Sequence, residues 1–86
     1  MVIYRTDDFL HDVEKLPTEA KRLLKKQEAI FIKSWLDPRL HVKKLKGFEG
    51  VYSIRITRRY RVLFYFRAKD AVFFAVGHRK EIYKRK

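Results

Sequence analysis

Between Val51 and Val76 the chain spells three short strands with almost nothing between them. VYSIRIT (Val51–Thr57) alternates, with Tyr52, Ile54 and Ile56 on one face and Val51, Ser53 and Arg55 on the other. That is the two-residue period of a strand with one buried face. YRVLFYF (Tyr60–Phe66) is apolar on both faces except at Arg61, which marks a central strand. AVFFAV (Ala71–Val76) follows a turn at Ala68, Lys69 and Asp70, and Gly77 reads as the point where it turns away. Connections this short join neighbours, so the three strands form an antiparallel meander.

The first 40 residues have another period. VIYRT (Val2–Thr6) is a short strand candidate, and Thr6, Asp7 or Asp8 can cap the helix after it. Phe9, Val13 and Leu16 form the apolar stripe of a short first helix, which Pro17 interrupts. Ala20, Leu23, Leu24, Gln27, Ile30, Phe31 and Ser34 recur at helical spacing, with Gln27 and Ser34 the polar exceptions. Asp37-Pro38 ends that second helix. The expectation is an α+β domain over residues 1–86. An N-terminal strand and a helical hairpin pack on one face of a small antiparallel β-sheet. HVKKLKGFEG (His41–Gly50) reads as a loop, with a short extended piece allowed. The tail from His78 can form a helical turn.

Whether Arg55 and Arg61 share a face depends on one turn. A two-residue turn at Arg58-Arg59 would put them on opposite faces, but such turns favour Gly, Asn or Asp at positive φ. A three-residue loop, Arg58 to Tyr60, pairs Thr57 with Arg61 and places both arginines on the open face.

Charge narrows the partner. The chain has 22 Lys+Arg against 10 Asp+Glu, a net +12. Residues 1–40 hold eight basic and seven acidic groups, whereas residues 41–86 hold fourteen and three. An excess gathered in one half implies a polyanion, nucleic acid before membrane. No apolar run approaches the ~20 residues of a membrane span, and MVIYRTDDF lacks a leader's apolar core, so a cytoplasmic protein is expected. The chain has no cysteine, and its three histidines are scattered, which argues against a zinc site.

Few chemistries remain. After position 41 the acids are Glu49, Asp70 and Glu81, too few and too dispersed for two-metal phosphodiester cleavage. No phosphate loop of the GxxxxGK type is present. RNA, however, carries its own nucleophile in the 2′-OH. An enzyme needs to align it, take its proton, hold the extra negative charge and protonate the leaving oxygen. Arginine suits the charge, because guanidinium grips phosphate oxygens in a fork. Arg55, Arg61 and Arg79, with His78 and Tyr83 for proton transfer, make the candidate catalytic set. Lys43, Lys44 and Lys46, with Arg58 and Arg59, are the candidate RNA contacts. No metal or cofactor is called for.

KLKGFEGVYSIRITRRYRVLFYF followed by AVFFAVGHRKEIY resembles the RelE/ParE superfamily of bacterial toxins from type II toxin–antitoxin pairs. A K-L-x-G loop, an alternating Y-x-I-R strand, a Y-R-led apolar strand and a terminal V-G-H-R…Y come in that order, after a helical hairpin ending in D-P-R. The resemblance spans essentially the whole chain. In its RelE branch it implies a ribosome-dependent, metal-independent mRNA endoribonuclease and a small, acidic antitoxin as partner. Arg61 and Arg79 then match transition-state arginines, Arg55 a basic strand residue, and Tyr83 the tyrosine that orients a base. Ser53 stands where the RelE pattern has a second basic residue. Either His78 takes over proton transfer, or Lys44 or Lys46 reaches in, or catalysis is weak. The alternatives in function are a ParE-like DNA gyrase inhibitor and a catalytically weak ribosome- or RNA-binding relative.

Overall fold

A computed structural model describes residues 1–85. The elements run β1 (Ile3–Arg5), α1 (Asp7–Glu14), α2 (Thr18–Lys33), a 3-10 turn (Pro38–Leu40), β2 (Lys43–Lys44), β3 (Val51–Arg55), β4 (Tyr60–Arg67), β5 (Asp70–His78) and a 3-10 turn (Ile82–Arg85). Thr6 caps α1, its hydroxyl accepting the Phe9 N–H at 3.1 Å. Asp7 and Asp8 in the first turn favour the helix N-terminus electrostatically.

The strands form one sheet in the order β1-β5-β4-β3-β2, with both helices on one face. The expected meander is present, but the sheet is mixed: β1 runs parallel to β5 (Ile3 beside Ala71, Arg5 beside Phe73). Strand β1 forms one edge, the helices carry the chain across to β2 at the other, and the meander returns to set β5 parallel beside β1. Two glycines, Gly47 and Gly50, hold the positive φ values that turn the basic loop between β2 and β3.

The core lies between helices and sheet. Phe31 is fully buried, its ring edge-on to Phe64 at 5.0 Å and to Phe73 at 5.2 Å, and Phe9 meets Phe73 at 5.6 Å. Trp35, just past α2, packs on Phe66 at 4.8 Å and Tyr52 at 5.8 Å, closing the helix end onto the sheet. Helix α2 stops at Lys33, short of Asp37-Pro38, because Ser34 is already extended (φ −160°, ψ 102°). Gln27, the polar exception in the apolar stripe, is buried and bridges three elements. Its amide donates to the Arg39 carbonyl at 3.0 Å and the Arg55 carbonyl at 2.8 Å.

The β4–β5 hairpin turns through Ala68-Lys69, and Ala68 has φ 55°. A left-handed conformation costs a residue with a Cβ roughly 1–2 kcal/mol, so Ala68→Gly should stabilise the fold by about 0.5–1 kcal/mol. Urea denaturation checks this; a lower midpoint would show that the turn does not hold that strain.

Candidate nucleotide-cleavage site

Strand alternation builds the site on the sheet face opposite the helices. Arg55 and Arg61 are direct cross-strand partners, and Gly77 is the partner of Arg61 on β5. The row Arg55, Arg61, Gly77 therefore lies across the open face, and Gly77 adds no side chain to it. The loop of three spans Thr57 to Arg59, since the Ile56 N–H donates to the Tyr60 carbonyl at 3.0 Å. The expected pairing of Thr57 with Arg61 is displaced by one residue on each strand. Each shift reverses the parity once, so both arginines still share a face.

Arg61 is held in place. Its Nη1 donates to the carbonyls of Thr57 (2.7 Å), Arg58 (3.1 Å) and Tyr60 (3.2 Å), which also closes the hairpin loop. Burial, followed by the positive charge of Arg55, lowers the Arg61 pKa from its ordinary value; Tyr83 opposes this and Arg79 adds to it. Guanidinium remains charged throughout the usable pH range. Those four side chains therefore share one electrostatic neighbourhood. Arg55 Nε is buried with no hydrogen-bond partner among the described residues. A buried donor without an acceptor is uncommon in a native fold.

Arg79 and Tyr83 arrive from the C-terminal segment, which is fastened twice. The Arg79 N–H donates to the Arg59 carbonyl at 2.6 Å, joining the segment to the hairpin loop. Ile82, fully buried, packs with Leu63 and Ala75 on the open face, flanked by Leu45 and Phe74. This second apolar cluster is separate from the main core and escaped the sequence reading; its signal was an isolated isoleucine in a basic tail. Ile82→Ala should release the segment without unfolding the domain. Tryptic cleavage after Lys80 should quicken more than about tenfold, with a matching fall of about 1.4 kcal/mol or more in the urea transition that leaves the domain folded. Equal protease resistance would mean that the cluster does not anchor the tail.

His78 is not brought to this group. β5 continues through Gly77 to His78, and the chain turns only at Arg79 and Lys80. Since Gly77 lies on the arginine face, the next side chain falls on the other. There His78 pairs with Tyr60, ring centroids 5.6 Å apart, and its Nδ1 accepts the Lys80 N–H at 3.1 Å. It lines a groove with Asp12, Leu16 and Glu81 instead. Gly77 is therefore not the turn that the sequence suggested, and the proton-transfer role considered for His78 is left without support.

The basic contacts divide as well. Lys43 is the cross-strand partner of Ser53 on the open face, whereas Lys44 is the partner of Tyr52 on the helix-facing side. Lys46 lies in the following turn, and Arg58 and Arg59 are exposed at the hairpin tip beside Arg61. Buried Ser53 brings no charge to its row, but Lys43 beside it does. Among the described residues no three His, Cys, Asp or Glu side chains gather as a metal site would require, and no helix is long and apolar enough to cross a membrane.

A sheet with a helical pair on one face and clustered guanidiniums on the other defines a small α+β protein suited to phosphate binding. No family model and no curated protein matches the sequence, but solved structures do. The RelE toxin in the RelB-RelE antitoxin–toxin complex from Methanococcus jannaschii superposes with a TM-score of 0.80 at 26% identity, over 95% of this chain and 96% of that one. YafQ from E. coli strain BL21(DE3) gives 0.78 at 16% identity, over 95% and 97%. The archaeal RelE-RelB complex from Pyrococcus horikoshii OT3 gives 0.74 at 18%, over 92% and 94%. The chain has the RelE-like toxin fold and is a member of the RelE/ParE superfamily.

Proposed function

We propose that this chain is the toxin of a toxin–antitoxin pair and acts as a ribosome-dependent, metal-independent mRNA endoribonuclease. The pairing of Arg61 with Arg55 on the open face, with the segment bearing Arg79 and Tyr83 fastened beside them, carries this reading. In the reaction the 2′-OH attacks the adjacent phosphorus, its proton is lost, and the 5′ oxygen departs with a proton. The products are a 2′,3′-cyclic phosphate and a 5′-OH. Arg61 and Arg79 hold the non-bridging oxygens as negative charge builds, and Arg55, the cross-strand partner of Arg61, adds its positive charge beside them. Arg61 needs no reorganisation, because three backbone carbonyls already fix its guanidinium. With His78 on the other face, Tyr83 on the C-terminal segment is assigned to proton transfer or base orientation. Lys43, Lys46, Arg58 and Arg59 bind flanking phosphates; Lys44 reaches them from the sheet edge.

The partner is a small acidic antitoxin, in keeping with the antitoxin-bound forms of the similar structures. The ribosome supplies the mRNA, and the protein works in the cytoplasm as a single domain. Primer extension on mRNA after induced expression tests the activity. Discrete new 5′ ends within translated codons are expected. Intact mRNA with translation unaffected would overturn the reading.

A further inference from the structure

The open face has a second built feature, at the end of the sheet away from the arginines. Tyr4 on β1, Val72 on β5 and Tyr65 on β4 lie in one row across three adjacent strands. Val72 is 6% exposed, whereas Tyr4 is 53% and Tyr65 39% exposed. Two phenol rings thus stand on either side of an aliphatic floor, two strand spacings or about 10 Å apart. They line an open groove of about 600 Å³ together with Thr6, Arg67 and Asp70.

The rings are not loose surface decoration. A bulge in β5 between Phe73 and Ala75 adds Phe74 to the open face, and its ring lies 5.6 Å from that of Tyr65. Tyr65 is thereby supported from behind. Arg67, two residues further along β4, is exposed and makes no ion pair among the described residues. Arg5, by contrast, is paired with Glu28 at 3.0 Å.

We infer that this slot binds a single unstacked nucleobase of RNA between Tyr4 and Tyr65, with Arg67 on its phosphate. An aromatic ring standing over a sheet suits a nucleobase, which stacks on one ring face whatever its identity, while the second ring closes the other side of the slot. The net charge of +12 and the exposed Arg67 guanidinium favour a polyanion over an apolar peptide. Tyr65 lies four residues from Arg61 on β4, roughly 13 Å along the strand, so the slot would hold a nucleotide flanking the one cleaved. Between them the Ile82 cluster covers the face, and the strand passes over it. The inference shares with the proposed function the premise that the ligand is RNA, but it does not depend on cleavage.

The test is fluorescence anisotropy with a labelled, 2′-O-methylated RNA oligonucleotide, which has no free 2′-OH to attack. The Tyr4→Ala/Tyr65→Ala protein should bind about tenfold or more weakly, the scale of one lost base stack, with an unchanged salt slope. The Tyr4→Phe/Tyr65→Phe protein should bind within about twofold of the parent, and the doubly Leu-substituted protein should fall with the Ala protein. Arg67→Ala should reduce the salt slope by about 0.7, as one phosphate contact does on a single strand. Unchanged affinity in the Ala protein, or a Leu protein that binds like the parent, would overturn the slot; the second result would mark an apolar peptide surface. Cleavage by the same proteins on ribosomes is scored separately. Loss of the slot with cleavage intact, or the reverse, tells which of the two readings fails.

Discussion

Arg61→Ala should reduce mRNA cleavage by on the order of 10³-fold, the loss expected when one preorganised charge-stabilising donor is removed. Arg61→Lys should recover little of it. An ammonium lacks the fork, and it could not hold the loop carbonyls while also reaching a phosphate. The same substitution has a structural effect, because Arg61 ties the carbonyls of Thr57, Arg58 and Tyr60. Losing them should lower the melting temperature by several degrees, about 1 kcal/mol in a chain of this size. Cleavage on purified ribosomes, measured beside thermal unfolding at a temperature where the variant is folded, separates the two effects. Cleavage within tenfold of the parent in a folded Arg61→Ala protein would remove Arg61 from the mechanism.

Phe31→Ala should be the most damaging core change. Phe31 is fully buried and meets Phe64 and Phe73 edge-on, so its ring joins α2 to both central strands. Truncating such a ring costs about 3–5 kcal/mol, against roughly 5–15 kcal/mol for an entire small fold. The protein should unfold at a much lower urea concentration with the slope of the transition unchanged. A loss below about 1 kcal/mol would mean that the core repacks around the gap.

Much of this architecture is legible in the sequence, because it follows from the periods of apolar residues. The meander came from the alternation in residues 51–57 and the apolar runs after it, and α2 from its spacing at three and four. The parallel placement of β1 was not legible: three residues, Ile3–Arg5, carry no signal of which strand they join, and the helical crossover decides it. The site divides the same way. Turn chemistry places Arg55 and Arg61 on one face, and the observed register, shifted by one residue on each strand, keeps that parity. The position of His78 is not legible, because Gly77 reads as a turn; with β5 continuing through it, alternation sends the imidazole to the other side. Lys43 could not be told from Lys44 or Lys46, since a two-residue strand has no period to read. Its pairing with Ser53 is a product of register alone.

The central claim is that guanidiniums from the β3–β4 hairpin and from the C-terminal segment act on one phosphate. A double-mutant cycle in single-turnover cleavage on ribosomes, with Arg61→Ala, Arg79→Ala and both together, tests it most directly. Residues acting as a unit give strongly non-additive losses. The double variant should be scarcely slower than the worse single one. Losses that simply multiply would mean that Arg61 and Arg79 act independently, and the shared phosphate site would be contradicted.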